Sequence, residues 1–279
     1  MKTYSAAAIA VMTAVSCSAA HGQIAPKGPE PATLKANAEL AKTLPFADRQ
    51  DFDDAVRGFI GTTPDALVTG AGPRPVWNMK PYDFLKQNEA ADSVNPSLWR
   101  QAQLNLIHGL FKVTDRVYQV RGFDVSNMTI IEGDTSLIII DVLLTTETAR
   151  AALELYYQHR PRKPVGTVIY SHSHTDHFGG VKGVISEADV AAGKVQVLAP
   201  AGFLEAVAGE SVMAGTAMSR RAQYQFGPLL PPGPRGHVDT GLGKRVAGGT
   251  VTLIAPTGTI SLSLANNASN GIEPSFAHH

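Results

Sequence analysis

The sequence predicts an α/β fold, with helices layered on a β-sheet, and three observations support this prediction. First, apolar residues alternate with period two from Phe111 onward, which is typical of strands with one buried face. Second, residues 146–159 carry apolar side chains at helical spacing and end shortly before Pro161. Third, a short apolar run at residues 165–170 follows this helix, so the order strand, strand, helix, strand indicates a sheet covered by helices.

Residues 1–22 have the pattern of a secretory signal peptide. A cationic start is followed by an alanine-rich apolar stretch and by small residues at a cleavage point near residues 20–23. The stretch is too short and too rich in alanine to span a bilayer as a stable anchor. The single cysteine, Cys17, lies within it, so the mature chain is expected to lack disulfides and to be periplasmic or secreted. An alternative interpretation takes Cys17 as a lipoprotein processing site.

Composition and charge exclude several classes of partner. The 24 basic residues balance the 24 acidic residues, so the chain has no net charge that would attract nucleic acid or an anionic membrane. Apolar residues make up 44% of the 279 positions, which is enough for a sizeable core. A small or neutral-headed partner is therefore expected.

Residues 23–110 are predicted to form an N-terminal arm and a helical extension. A helix is expected at residues 32–44, the charge-rich stretch up to Phe59 is expected to be a solvated helix face, and residues 75–85 are expected to be irregular. A further helix opens with Pro96 near its first turn. The apolar residues at helical spacing that define this last helix are Leu98, Trp99, Ala102, Leu106 and Leu110.

The main domain is predicted at residues 111–256. Two apolar strands flank a turn at residues 132–134 and form a hairpin, and Asp141 ends the second strand. Asp141 either orients the loop that follows the next strand or caps the helix that begins at Thr145 or Thr146, and the sequence leaves both roles open. Beyond that loop, strands are predicted at residues 194–198 and 249–254, and helices at residues 201–208 and 211–226.

The loop at residues 171–180, SHSHTDHFGG, carries the strongest chemical signal. His172 and His174 point the same way in an extended segment, because side chains alternate along a strand. Asp176 and His177 follow directly, before a pair of glycines that let the chain turn. Three imidazoles and one carboxylate within six residues suit two metal ions better than one, since a single tetrahedral zinc rarely takes all its ligands from so tight a turn. The sequence therefore predicts a metal centre at this loop.

Three other histidines are expected to have structural roles. His108 is placed on the helix that opens at Pro96, and a single histidine on a helix is usually structural. His159 lies at the C-terminal end of a predicted helix, where a partial positive charge interacts favourably with the helix dipole. His237 lies in a loop rich in proline and glycine with no second ligand nearby, so it is not expected to bind metal.

Longer motifs resemble those of a known family. The loop at residues 171–180, called the metal loop below, follows TVIY. Together with the hairpin NMTIIEGDTSLIIID, it resembles the metallo-β-lactamase superfamily. The stretches WNMKPYDFL, NPSLWRQAQLN, HGLFKV, ESVMAGTAMSRRAQYQFG and GPRGHVDTGLGK are similar to the alkyl sulfatase branch, the zinc-dependent enzymes that hydrolyse detergents such as dodecyl sulfate. The resemblance runs from about Pro75 to Pro256. It implies a layered αββα fold of which only the N-terminal half is present.

The resemblance also implies a mechanism and a substrate. His172 and His174 would bind one zinc ion and Asp176 and His177 the other, with Asp176 also counted as catalytic. A hydroxide held between the two ions would attack a small amphiphilic alkyl sulfate. The other ligands of the family, two glutamates and a histidine from a second sheet, and its dimerisation region have no counterpart in these 279 residues. Weak or no activity is therefore expected from this chain, and a homodimer only from a full-length form.

The end of the chain, residues 257–279, is expected to be an unrelated tail. Residues 255–277 resemble a segment of the large subunit of ribonucleotide reductases. Reductase chemistry needs several cysteines and a full barrel, so no reductase activity is expected. Two alternatives to an alkyl sulfatase stay open: another hydrolase of the same fold, of lactamase or thioesterase type, and a non-catalytic fragment.

Overall fold

The computed structural model describes residues 27–261. The predicted signal peptide, Cys17 and most of the predicted tail lie outside the described residues. No helix within residues 27–261 combines the length and the apolar character needed to cross a lipid bilayer.

The described chain contains both helices and strands. The α-helices are α1 (Pro31–Thr43), α2 (Gln50–Val56), α3 (Pro96–Leu104), α4 (Thr146–His159), α5 (Thr175–Phe178), α6 (Glu187–Ala191), α7 (Phe203–Val207) and α8 (Gly215–Phe226). The strands are β1 (Phe59–Gly61), β2 (Gly109–Thr114), β3 (Val117–Arg121), β4 (Met128–Glu132), β5 (Leu137–Ile140), β6 (Val165–Ile169), β7 (Gln196–Pro200) and β8 (Gly258–Ile260). Short 3-10 helices occupy Pro64–Ala66, Lys80–Lys86 and Val181–Gly183, and a π-helical turn occupies Ala208–Met213.

The strands form one mixed sheet whose spatial order follows the chain order from β1 to β8. Neighbours from β1 to β5 are antiparallel, and neighbours from β5 to β8 are parallel. The predicted hairpin is β4 and β5, which pair Ile130 with Ile139. Because a parallel neighbour can be reached only by a crossover, α4 connects β5 to β6. The mixed sheet and its helices confirm the predicted α/β class.

The main core lies between α4 and one face of the sheet. Ala152 and Tyr156 of α4 are fully buried in one cluster with Ile130 and Ile139 of the sheet. The ring of Tyr156 meets that of Tyr118 edge-on, with centroids 5.7 Å apart. Complete burial of a large apolar side chain stabilises a fold by about 1.5–3 kcal/mol. This layer therefore anchors the sheet beneath the loops at its carboxyl edge.

The predicted helix at Pro96 is shorter than its apolar pattern suggests. Helix α3 ends at Leu104, and Leu106 lies in the connection that follows. Leu110 belongs to β2, which pairs with β3. Gly109 has a φ of 138°, a backbone conformation that side chains rarely adopt, and it stands at the start of the strand. The prediction of Leu106 and Leu110 as helical residues is therefore wrong, because strand pairing overrides the local helical spacing.

The predicted strand at residues 249–254 is also wrong. This segment runs past the start of α4 and the metal loop, where the Thr250 carbonyl accepts from Thr146 N–H (2.9 Å) and Thr252 N–H donates to the Gly179 carbonyl (2.7 Å). The backbone groups of the segment are thus bonded to loops, and β8, further along the chain, pairs with β7 instead. The sheet therefore extends into the stretch predicted as an unrelated tail.

The N-terminal extension is mostly exposed and follows its prediction in part. Helix α1 lies within one residue of the helix predicted at residues 32–44, and α2 carries the charge-rich stretch, with no buried residue in either helix. Residues 75–85, predicted as irregular, overlap the 3-10 helix Lys80–Lys86. Trp77 donates from Nε1 to the Gly122 carbonyl at 2.8 Å, which ties this segment to the connection between β3 and β4.

Candidate metal centre

The metal loop begins where β6 ends, at the carboxyl edge of the parallel strands. Tyr170 anchors the chain at this exit, because its side chain is fully buried and its hydroxyl donates to the Ile254 carbonyl at 3.1 Å. Its ring also stacks on Phe203, with centroids 5.2 Å apart. The side chains that follow, from His172 onward, leave the sheet at this edge, which is where α/β folds usually bind ligands.

The short helix α5 sets the direction of Asp176 and His177. It begins directly after His174 and carries both side chains in a single turn. The sequence predicts that Gly180 allows a sharp turn. Its φ is −84°, however, which is a backbone conformation that any residue can adopt. A Cβ on Gly180 would lie 2.1 Å from the Val142 carbonyl oxygen. Glycine is thus required here by the close approach of two backbone segments.

The four side chains predicted to bind metal lie together. His172 Nε2 is 3.0 Å from His174 Nδ1, and the rings of His172 and His177 have centroids 4.0 Å apart. His177 Nε2 is 3.2 Å from Asp176 Oδ2. The structure therefore brings the two predicted ligand pairs into one group at the edge of the sheet.

The donor set of this group suits zinc in chemical type. Imidazole nitrogens and carboxylate oxygens are usual zinc ligands. Among residues 27–261, however, no group of three or more histidine, cysteine, aspartate or glutamate side chains is arranged to hold a metal ion. His172 Nε2 and His174 Nδ1 lie within hydrogen-bonding distance of each other. The described residues thus supply two pairs of suitable ligands, and not a closed cage.

Asp141 orients the metal loop. Its carboxylate accepts hydrogen bonds from the backbone N–H and the hydroxyl of Ser171, both at 2.8 Å, and from His177 Nδ1 at 2.7 Å. The alternative role, capping α4, belongs to Thr145, whose side chain accepts from Thr148 N–H. Because Nδ1 of His177 faces this carboxylate, Nε2 is the nitrogen left on the side of Asp176.

The carboxylates around His177 change its proton affinity. Burial acts to lower the pKa of His177, but its hydrogen bonds to Asp141 and Asp176 outweigh burial and raise the pKa to about 9. Burial acts to raise the pKa of Asp176, yet the hydrogen bond from His177 holds that pKa below its usual value. The pKa of His172 is lowered by burial and by the neighbouring imidazoles. At neutral pH the metal-free site therefore holds a protonated His177, and metal binding must displace that proton.

A groove of about 370 Å³ opens beside the candidate metal ligands. His174 and Asp176 form part of its lining, and Glu210 Oε1 lies 3.7 Å from His174 Nε2. The opposite part of the lining comes from α8, within the segment predicted as a helix at residues 211–226. Its apolar and cationic lining includes Leu144, Met218, Arg221, Phe226 and Val246.

Several residues around this group were not predicted from the sequence. Asp124, Ser126, Leu144, Glu210 and Val246 come from segments far apart in the chain, so no local motif joins them. The only signal for Asp124 is a carboxylate in the apolar context GFDV, because a buried carboxylate must be matched by hydrogen-bond donors. Burial raises the pKa of Asp124 to about 7, against backbone hydrogen bonds that act to lower it.

The three histidines without a predicted metal role have other contacts. His237 is buried, and its Nδ1 lies 2.9 Å from the Tyr82 hydroxyl. His108 lies in the connection after α3, and not on the helix as predicted, with Nδ1 2.8 Å from the Leu106 carbonyl oxygen. His159, the last residue of α4, packs its ring against Gly61.

Comparison with known proteins identifies the family. Residues 121–264, which include all four predicted ligands, match the model of the metallo-beta-lactamase superfamily. The alkyl/aryl-sulfatase BDS1 of Saccharomyces cerevisiae is 61% identical over 244 residues, which is 88% of this chain and 38% of that protein. An (R)-specific secondary-alkylsulfatase of Pseudomonas sp. is 54% identical over 245 residues, which is 88% of this chain and 37% of that protein.

A solved structure of a similar protein agrees with these sequence similarities. The stereoselective inverting sec-alkylsulfatase Pisa1 from Pseudomonas sp. is 53% identical, with a TM-score of 0.84 over 88% of this chain and 39% of that one. This chain therefore spans about two-fifths of the length of the relatives it matches. The matched range overlaps the stretch that resembles ribonucleotide reductase, and the comparisons give that resemblance no support. The chain belongs to the metallo-beta-lactamase superfamily, as its metal loop and hairpin predict.

Proposed function

We propose that this chain is the metal-binding part of a zinc-dependent hydrolase that cleaves sulfate from linear alkyl sulfates. The observation that carries the proposal is the grouping of His172, His174, Asp176 and His177 beside a groove with apolar and cationic lining. The substrate class is supported by 53–61% identity to proteins named alkylsulfatases.

Each candidate ligand has a defined task in this proposal. His172 and His174 would hold one zinc ion, and Asp176 and His177 would hold a second. Zinc, when bound, would lower the pKa of a coordinated water and offset the negative charge of the sulfate group. Asp141 occupies Nδ1 of His177 and so directs its Nε2 toward the ligand group. Asp176, the candidate catalytic residue, keeps its negative charge through the contact with His177.

An amphiphilic sulfate ester matches the lining of the groove. Leu144, Met218 and Val246 suit an alkyl chain, because removal of apolar surface from water is the main favourable term in such binding. Arg221 offers a guanidinium, whose parallel N–H donors suit a tetrahedral oxyanion such as sulfate. The balanced charge of the chain gives no support to a nucleic-acid partner.

A non-catalytic zinc-binding fragment is the second candidate. It is favoured by the lack of a three-ligand group among residues 27–261 and by the share of its relatives that this chain spans. Zinc sites normally have three or four protein ligands, so two ligands for each ion should bind weakly. We therefore expect weak zinc binding and little turnover from this chain alone, and sulfate release from a longer form that carries the remaining length of the relatives.

We also propose that the protein is exported to the periplasm or the medium. Residues 1–22 have the signal pattern, and lipidation of Cys17 is the alternative. Mass spectrometry of the mature N-terminus distinguishes the two, because cleavage near residue 22 supports a soluble exported form and a lipid mass on Cys17 supports a lipoprotein. We expect a homodimer only from a longer form of the protein, and not from this chain.

Zinc titration and sulfate release test the proposed activity. The chain would be stripped with a chelator, titrated with Zn²⁺ in a calorimeter and incubated with dodecyl sulfate while free sulfate is measured by ion chromatography. The double variant His172→Ala, His174→Ala is the matched control for metal-dependent release. Sulfate release that requires zinc, from this chain or the longer form, supports the proposal.

Two other results would redirect the assignment. Cleavage of a β-lactam or a thioester with alkyl sulfates left intact would mean another hydrolase of the same fold. If this chain and the longer form both bind zinc but hydrolyse no ester, the non-catalytic zinc-binding fragment is the function that remains.

A further inference from the structure

Asp124 is a buried carboxylate that joins three segments of the chain. It lies between β3 and β4 and is 3% exposed. Its Oδ1 accepts from the backbone N–H groups of Val125 (2.8 Å) and Ala247 (3.2 Å), and its Oδ2 accepts from Leu144 N–H (3.0 Å). Burying a carboxylate is costly unless donors compensate it. These three bonds therefore both permit the burial and tie the segments together.

One of the three donor residues lines the groove, and a second is adjacent in the chain to a residue that lines it. Leu144 lines the groove directly, and Ala247 follows Val246, which also lines it. Leu143, the residue before Leu144, has a φ of 61°, a left-handed conformation that is strained for a leucine. A strained loop keeps its shape only when the surrounding structure holds it. The bond from Leu144 N–H to Asp124 is one of the contacts that do so.

The same connection also touches the candidate metal ligands. Ser126, which follows Asp124 and Val125, donates from Oγ to the backbone carbonyl of Asp176 at 2.5 Å. Asp176 lines the groove together with Leu144. The connection between β3 and β4 therefore contacts both the reactive end and the apolar wall of one groove.

We propose that Asp124 is a positioning residue that fixes the apolar wall of the groove relative to the candidate metal ligands, and thereby determines how tightly an alkyl chain is held. The inference rests on the proposed function, since it takes an alkyl sulfate as the ligand. It assigns Asp124 to the wall formed by Leu144 and Val246, and not to the binding of metal.

Asp124→Asn tests the inference because it keeps the shape of the side chain and removes one acceptor oxygen. The new amide nitrogen replaces either the oxygen that accepts from Leu144 N–H or the oxygen that accepts from both Val125 N–H and Ala247 N–H, and the backbone donors at that oxygen lose their acceptor. A buried N–H without an acceptor incurs its full desolvation penalty, which favours opening of the segment to water. We therefore expect amide hydrogen exchange at Leu144 or Ala247, followed by NMR, to accelerate by about tenfold or more.

Glu132→Gln is the matched control for a lost buried carboxylate. Glu132 is also buried, accepts 2.7 Å hydrogen bonds from Tyr156 and Arg160, and lies at the opposite end of β4 from the metal loop. Its substitution should lower the free energy of global unfolding. Once this change in global stability is taken into account, amide exchange at Leu144 and Ala247 should proceed at the wild-type rate.

Binding of a short and a long alkyl sulfate separates positioning from general damage. The dissociation constants of hexyl sulfate and decyl sulfate are measured on the zinc-loaded chain by calorimetry. The ratio of the hexyl sulfate constant to the decyl sulfate constant reports how much the added methylene groups contribute to binding. We expect the wild type and Glu132→Gln to share one ratio, and the ratio for Asp124→Asn to fall by about tenfold. Val246→Ala shortens the wall and leaves the carboxylate in place, so it should lower the ratio even if Asp124→Asn fails to fold.

Unchanged exchange and an unchanged ratio in a folded Asp124→Asn variant would overturn the inference. An unchanged ratio in Val246→Ala would also overturn it, since the wall would then not contact the chain of the ester. If the wild-type chain binds neither ester and a longer form releases no sulfate, the proposed function fails, and the alkyl-chain role of Asp124 fails with it. Exchange at Leu144 and Ala247 then still decides whether Asp124 holds the two segments.

Discussion

The metal-free protein allows the contribution of Asp141 to be measured through His177. The perturbation is Asp141→Asn, which keeps the size of the side chain and removes its charge. Burial acts to lower the pKa of His177, but the hydrogen bonds to Asp141 and Asp176 raise it from 6.5 to about 9. Asparagine in place of Asp141 should therefore lower the pKa of His177 toward its usual value.

The same shift is a contribution to stability. Because the folded-state pKa lies above the unfolded value of about 6.5, protonated His177 stabilises the fold fully below that pH, and the contribution is lost as pH rises through about 9. The difference between the two pKa values corresponds to about 3 kcal/mol. The side chain is 21% exposed, so solvent screens it only in part. Since Asp141 is one of two carboxylate partners, its removal should eliminate on the order of 1–2 kcal/mol.

Urea unfolding of the metal-free chain at about pH 6 and about pH 10 measures this contribution. The loss of unfolding free energy between the two conditions should be smaller in Asp141→Asn than in wild type by about 1–2 kcal/mol. Asp115→Asn removes an exposed carboxylate between β2 and β3 and should behave as wild type. An equal pH dependence in wild type and Asp141→Asn, or an unchanged NMR titration of His177, would refute the reasoning.

Three further substitutions test the packing of the site and its groove. Gly180→Ala should destabilise the fold by about 1–3 kcal/mol in thermal unfolding, because the new Cβ would meet the Val142 carbonyl oxygen, and wild-type stability would contradict this packing. Tyr170→Phe removes the hydrogen bond to the Ile254 carbonyl and should cost about 1 kcal/mol in urea unfolding; no loss would mean that the bond contributes nothing. Arg221→Gln should weaken decyl sulfate binding by about tenfold with stability unchanged, since the side chain is exposed and lines the groove, whereas equal affinity would exclude a sulfate contact.

Local signals account for the elements that were predicted well. Helix α4 covers the predicted residues 146–159, because its start is encoded by the Thr145 cap and its end by the nearby Pro161. The hairpin of β4 and β5 follows from two apolar runs around a short turn. In contrast, the leucine spacing favours a helix as far as Leu110, but this residue pairs with β3 as part of β2. A short stretch of sequence around the helix does not include the partner strand, so the spacing alone gives the wrong prediction.

The candidate ligands can be recognised from local sequence alone. His172, His174, Asp176 and His177 lie within six residues, so a strand end followed by one turn of helix is enough to bring them together. The surroundings of these ligands depend on contacts between segments that are distant in the chain. Asp141 reaches His177 because β5 and β6 are parallel neighbours that end at one edge. The other neighbours, Asp124, Leu144, Glu210 and Val246, meet only when the whole sheet has formed, since strand order and crossovers depend on burial across the entire core.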